Sequence, residues 1–287
     1  MKQYSTSKKR RWKGTGFFIL IVCFACSKYA LAQESFLHID TVVRNIKYKS
    51  DLRALTSTLT DSYPNKIDKT RAIFIWIAAN IAYDYEHVNK GKTIKMPNCS
   101  TGAVCQQLWA DWEKEYLHQV LKKKQAICFG YAYLFKKMCD FAGVQNEVIN
   151  GYTKTKPYQI GTYLSVNHAW NAVMIDSTWH FFDPTWAAGG CTVDEESEKL
   201  LSFTKNYDNY YWDISFEKLS RDHYPEKAKW VMKEYYTKEK FSNGPYYSNH
   251  ILPKLELLSP QTGMIEAKKG DTIRFLLTYK DTIEYVQ

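Results

Sequence analysis

The 287-residue chain lacks several features that would settle its function at a glance. It has no internal repeat and no long low-complexity tract, so a repeat architecture is excluded. No loop of regularly spaced carboxylates is present, and calcium activation is therefore not implied. Cys99 and Cys105 stand six apart with no histidine close by, which leaves no zinc-binding spacing and no metal expectation. The apolar run from Gly16 to Cys26 falls well short of the ~20 residues that cross a bilayer comfortably. Excess charge is missing too, once its source is located. Lys and Arg number 39 against 30 Asp and Glu, a balance of +9, but residues 1–32 hold seven of the basic residues and no acidic one. Without them the balance is 32 against 30, or +2, which removes the basic surface that nucleic-acid binding needs.

What is present begins with a leader. Lys2, Lys8, Lys9, Arg10, Arg11 and Lys13 precede the apolar run, and Ala30-Leu31-Ala32 follows as a small-x-small cleavage site. Basic, apolar, small is the pattern of a secretory signal peptide over 1–32, with an uncleaved anchor as the alternative. Export implies a secreted or cell-envelope location, periplasmic or extracellular, with the membrane met only through this segment. Five cysteines then remain: 99, 105, 128, 139 and 191. An odd number in an oxidising compartment leaves at least one thiol free, and Cys128 is the candidate. Cys99 with Cys105 and Cys139 with Cys191 are possible pairs that spacing alone does not decide.

The remaining 255 residues suit one medium domain over 33–245 and a short addition over 250–287. Residues 33–50 read as irregular or extended. Helical periodicity places Leu52, Leu55 and Leu59 on one face, then continues from Asp68 to about Tyr83, from Gln106 to Lys124, and from Cys128 to Ala142 before Gly143. Residues 89–104 read as a loop. The period then changes to two. Val144–Tyr152, His168–Ile175 and Trp179–Phe182 are expected strands, the last two joined by a tight turn at Asp176-Ser177-Thr178. Leu255, Leu257, Ile273, Phe275, Leu277 and Tyr279 alternate again and suggest part of a small β-sandwich. The class is α+β.

Three segments carry the chemistry: Gln125-Ala-Ile-Cys128-Phe-Gly-Tyr-Ala132, Asn167-His168-Ala-Trp-Asn171 and Phe182-Asp183-Pro-Thr-Trp186. A thiol is mostly protonated near neutrality. An imidazole can take its proton, and a carboxylate can orient the imidazolium that forms. Cys128 also opens a helical pattern, and a helix N-terminus favours a thiolate. Each residue alone has an ordinary explanation. Cysteine is often a buried thiol, His168 could be a satisfied core histidine, and aspartate is common in a turn before proline. All three together, among glycine and aromatic residues, argue for one site. Trp170, Trp186 and Tyr131 are candidates to line its cleft, with plain core packing as their alternative.

Further segments extend the pattern: Trp76-Ile77, Asn80-Ile81-Ala-Tyr83-Asp84, Gly151-Tyr152, Trp179-His-Phe-Phe182, Tyr211-Trp212 and His223-Tyr-Pro225. With the three blocks above, residues of about 50–230 resemble the transglutaminase-like superfamily of papain-fold cysteine enzymes, and within it the kyphoscoliosis-peptidase-like branch. The resemblance implies a papain-like core with Cys128 as nucleophile, His168 as general base and acid, and Asp183 as orienting carboxylate. It implies no cofactor and a protein or peptide substrate, attacked at an amide through a thioester. Hydrolysis is the expected outcome. A catalytically silent binding or scaffold protein on the same fold is the alternative.

Overall fold

The computed structural model describes residues 36–162, 165–247 and 255–279. The expected leader over 1–32 lies outside them. Helix α1 (residues 36–43) departs from the irregular segment expected there. Its Ile39 and Val43, one helical turn apart, are both buried in the core, and that packing makes the segment helical. Helix α2 (Leu52–Thr60) follows, started by the Asp51 carboxylate, which accepts from the Arg53 and Ala54 amides.

Helix α3 (Lys66–Asn80) is the central post of the fold. Every residue from Thr70 to Ala78 is buried, so this helix is enclosed on all sides rather than along one stripe. It stops at Asn80, short of the expected end near Tyr83, because Ile81 turns extended and strand β1 (Ala82–Tyr83) begins. After the short helix α4 (Tyr85–Asn89) and a loop comes α5 (Ala103–Lys123). Strand β2 (Gln125–Ala126) then pairs in parallel with β1, Ala82 opposite Gln125. This small pairing ties the start of helix α6 (Cys128–Phe141) to the end of α3. The Tyr131 hydroxyl strengthens the tie by donating to the Ile81 carbonyl at 2.8 Å.

Strands β3 (Asn146–Thr153), β4 (His168–Ile175) and β5 (Thr178–Phe182) form an antiparallel sheet behind α6. Asp176 and Ser177 both have positive φ, as a two-residue hairpin turn requires, and they set Asn171 opposite Phe182. Helix α7 (Pro184–Ala188) leaves the end of β5, and the hairpin of β6 (Gly189–Val193) and β7 (Leu200–Lys205) follows. After helix α8 (Phe216–Leu219), strand β8 (His223–Pro225) adds to the free edge of β3, giving the order β5-β4-β3-β8. Pro225 suits that edge position, since proline has no amide to donate. Gly151 lies opposite both His168 and Pro225. A Cβ there would collide with the Tyr224 carbonyl and the Trp170 ring. Helix α9 (Lys238–Asn243) precedes an antiparallel pair, β9 (Leu255–Ser259) with β10 (Leu276–Tyr279).

Cys99 and Cys105 are joined by a disulfide. Cys139 and Cys191 are not: Cys139 is enclosed by apolar side chains on the inner face of α6, while Cys191 stands half-buried on β6, a separate sheet. Together with Cys128 they are free thiols.

Candidate active site

Cys128 is the first residue of α6, and no side chain caps the turn it opens. The helix leaves unpaired amides and partial positive charge at this end, a setting that favours an anion. His168 is the first residue of β4 and is buried. Asp183 follows β5 directly and caps α7, where Pro184 needs no amide partner. The hairpin register returns Asp183 to the level of His168, and the His168 Nε2 meets the Asp183 Oδ2 at 2.7 Å. That bond commits Nε2. Cys128 is near enough to add to the upward shift of the imidazole, and Nδ1 is the ring nitrogen left to serve it.

The two oxygens of Asp183 divide their work. Oδ1 accepts from the Thr185 amide at 2.8 Å and the Trp186 amide at 3.1 Å, as a helix cap does. Oδ2 faces the histidine. The ordinary turn role and the orienting role are thus held by one carboxylate at once. Full burial would raise its pKa, but the charge and hydrogen bond of His168, joined by those of His223, hold it well below the usual carboxylate range. Burial pushes the His168 imidazole down. The Asp183 carboxylate, with a smaller share from Cys128, overrides this and lifts it to about 10. The imidazolium is therefore the resting form at neutral pH.

His223 extends this row and was not singled out from the sequence, although its segment was noted. Its Nε2 lies 3.1 Å from the same Asp183 Oδ2, and its Nδ1 is hydrogen-bonded to Asp222. Tyr211 donates its hydroxyl to the other Asp222 oxygen at 3.0 Å. His223 reaches the site from the edge strand β8, about 40 residues beyond Asp183, and no local spacing signals the meeting. His168, Asp183 and His223 bring three donor atoms within 4.8 Å, a proximity that metal sites share. Here both Nε2 atoms are spent on one carboxylate oxygen. A cation would have to displace that bonding and would take the base away from Cys128.

The aromatic candidates divide. Trp186 is half-buried, its ring 5.2 Å from that of His168. Trp170 stacks on the other side at 6.0 Å but is 1% exposed, and Tyr131 is fully buried with its hydroxyl spent on Ile81. Neither of these two lines a cleft; both lie beneath the site because their strand and helix faces point into the core. A cavity of about 260 Å³ bordered by α5 is lined by Asp84, His87, Trp112, Tyr116, Gln125 and Ile127, the last next to Cys128 in the chain, but not by Cys128, His168 or Asp183. Tyr116 is the link to the thiol: burial, then the charges of Cys128 and Asp84, push its hydroxyl above the ordinary tyrosine range. A larger cavity of about 850 Å³ lies by α8, α9 and β9, with none of the three chemical residues on its wall.

Residues 53–184 match the transglutaminase-like superfamily. Kyphoscoliosis peptidase of Mus musculus is 31% identical over 240 residues, 82% of this chain and 32% of that protein. The Homo sapiens kyphoscoliosis peptidase is 31% identical over 245 residues, 84% of this chain and 33% of that one. A solved structure described as a TGase aligns with a TM-score of 0.32 at 20% identity, covering 61% of this chain and 40% of the other. With a thiol at a helix start and an imidazole and carboxylate from adjoining strands, the chain belongs to the transglutaminase-like superfamily. Its place within that superfamily is the kyphoscoliosis-peptidase-like branch. The chain spans about a third of the length of these curated relatives. Tyr211, Asp222 and His223 lie beyond residue 184, outside the segment that matches the superfamily.

Proposed function

We propose that this chain is an exported cysteine enzyme that opens protein or peptide amides through a thioester, with water as the usual acceptor. One observation carries the reading: the buried His168 is bonded to Asp183 at 2.7 Å, and that carboxylate, with a smaller share from Cys128, raises the imidazole's pKa. In the proposed reaction the Cys128 thiolate attacks the amide carbon. The Cys128 amide at the open end of α6 donates to the oxyanion. His168 passes its proton to the departing amine, and the C–N bond breaks to leave the thioester. His168, now neutral, takes a proton from water as the water attacks, the C–S bond breaks, and the acid leaves with the thiolate and the imidazolium restored. An amine in place of water would give transamidation, but nothing at the site selects one. Export is supported by the basic-apolar-small leader and by the Cys99–Cys105 disulfide, a bond that lasts in oxidising compartments. An N-terminus beginning after Ala32 in the mature protein is the expected outcome of terminal sequencing.

A scaffold reading is favoured by one observation, the 7% exposure of His168, which leaves a substrate little room at the imidazole. The deciding experiment is the pH dependence of Cys128 alkylation, read by mass spectrometry. Fast modification well below the ordinary thiol pKa of about 8.5, lost in His168→Ala, is expected of a working ion pair. Alkylation only at alkaline pH would reject the enzyme. Full biological function in Cys128→Ala would establish the scaffold.

A further inference from the structure

We propose that His223 and Asp222 form a second imidazole–carboxylate couple that sets the orientation and proton affinity of His168 through Asp183. The inference rests on the cysteine-enzyme reading above and adds positioning residues to it. Its ground is geometric. Both His223 nitrogens face carboxylate oxygens, Asp183 Oδ2 on one side and Asp222 Oδ1 on the other. An ionised carboxylate only accepts, so each nitrogen must carry a proton and His223 is an imidazolium. Tyr211 completes the far end by donating to Asp222. Tyr211, Asp222, His223 and Asp183 are each no more than 2% exposed, so water does not supply these bonds.

Charges then alternate along the row: Asp222 negative, His223 positive, Asp183 negative, His168 positive. This arrangement has two consequences. Asp183 receives four donors, two amides on Oδ1 and two imidazoles on Oδ2, and is held in every direction. The His168 ring inherits that orientation. Second, Asp183 divides its negative charge between two cations whose rings are 5.2 Å apart. His223 thereby limits how tightly His168 holds its proton, which a general acid must release to the departing amine.

Among the described residues no other group takes this part. Asp183 faces His223 from the start of α7, His168 from β4, and Asp222 and Tyr211 from the α8 side. Trp170 and Trp186 close over the ring at 4.9 and 4.5 Å and are uncharged. Lys154, Tyr210 and Tyr236 act on the outer carboxylate Asp222 rather than on His223. Lys154 is itself anchored to the Phe241 and Gly244 carbonyls at 2.6 and 2.7 Å.

The test is the pH profile of Cys128 alkylation by iodoacetamide in the full chain, whose upper limb reports loss of the His168 proton. His223→Gln keeps a donor for Asp183 but removes the charge, and the upper limb should move up by about one pH unit. Asp222→Asn removes the charge that keeps His223 protonated and should move it the same way. Tyr211→Phe leaves Asp222 more strongly basic and His223 more firmly charged, so the limb should stay or move slightly down. A purely structural role would lower the melting temperature without separating the variants in this pattern. Unmoved limbs in folded His223→Gln and Asp222→Asn overturn the proposal while leaving the cysteine-enzyme reading intact. Should His223→Gln fail to fold, Asp222→Asn against Tyr211→Phe decides alone. Wild-type Cys128 that is inert below pH 8 overturns both readings.

Discussion

Two thiols on helix α6 show how the same side chain acquires different chemistry. Cys139, near the end of the helix, is fully buried among apolar groups, and burial pushes its thiol well above the ordinary range. Cys128, at the helix start, is half-buried and near enough to His168 to add to the upward shift of its imidazole. One is held as a neutral, inert space-filler, while the other lies at the positive end of a helix near an imidazole that holds its proton firmly. The difference lies in neither the cysteine nor the helix. It is supplied by the end of the helix on which each thiol sits and by the strand brought up against it.

The largest break of this comparison is expected from paired substitutions. Cys128→Ala should reduce amide turnover to background with an unchanged melting temperature, whereas Cys139→Ala should keep the activity and cost about 1–2 kcal/mol of stability by opening a cavity. Peptide turnover and urea unfolding of both variants check this. His168→Ala should come next, slowing turnover by about 10²–10⁴-fold, the usual share of a positioned acid and base. It should also bring the alkylation pH dependence of Cys128 close to that of an ordinary thiol.

Smaller effects sharpen the same contrast. Gly151→Ala would push against the Trp170 ring and the Tyr224 carbonyl, moving the floor of the His168–His223 row. A loss of about 1–3 kcal/mol is expected, with slower alkylation at Cys128 and none at Cys139. Stability should also follow pH with a defined sign. A group whose pKa is raised on folding stabilises below its unfolded value and loses that contribution as pH rises through the folded one. For His168 the loss falls between about 6.5 and about 10, and the melting temperature should decline over that window. Asp183, lowered on folding, acts oppositely: its contribution is present above the usual carboxylate range and is lost as pH falls through and below it. His168→Ala should flatten the alkaline decline, leaving the share due to His223.

Much of the central fold could be read directly. The period-two run from His168 to Ile175 is strand β4 at those bounds, and the turn at Asp176–Ser177 takes the positive φ values of a tight hairpin. Cys128 opens its helix as the helical pattern from Cys128 to Ala142 implied. Other parts were hidden for identifiable reasons. Helix α1 rests on just two buried anchors, Ile39 and Val43, in a stretch that otherwise reads as irregular. Helix α3 buries all its faces, so its periodicity blurs, and its end was overrun because Ala82–Tyr83 pairs with a segment more than forty residues away. Trp170 and Tyr131 looked like cleft residues because aromatics near a nucleophile serve either purpose, and only burial separates the two.

By itself the sequence determined the class of fold, the order of helices α2, α3, α5 and α6 and strands β3 to β5, and the trio of residue types able to make and use a thiolate. These depend on local periodicity, turn chemistry and intrinsic reactivity, which neighbouring residues carry with them. Only the tertiary structure decided which groups meet. Edge strand β8 carries His223 to the carboxylate already shared by His168 and the α7 amides, and burial sets Trp170 and Tyr131 in the core rather than in a cleft. Such meetings depend on register and burial across distant segments, and the desolvation that follows sets which of these groups carry charge.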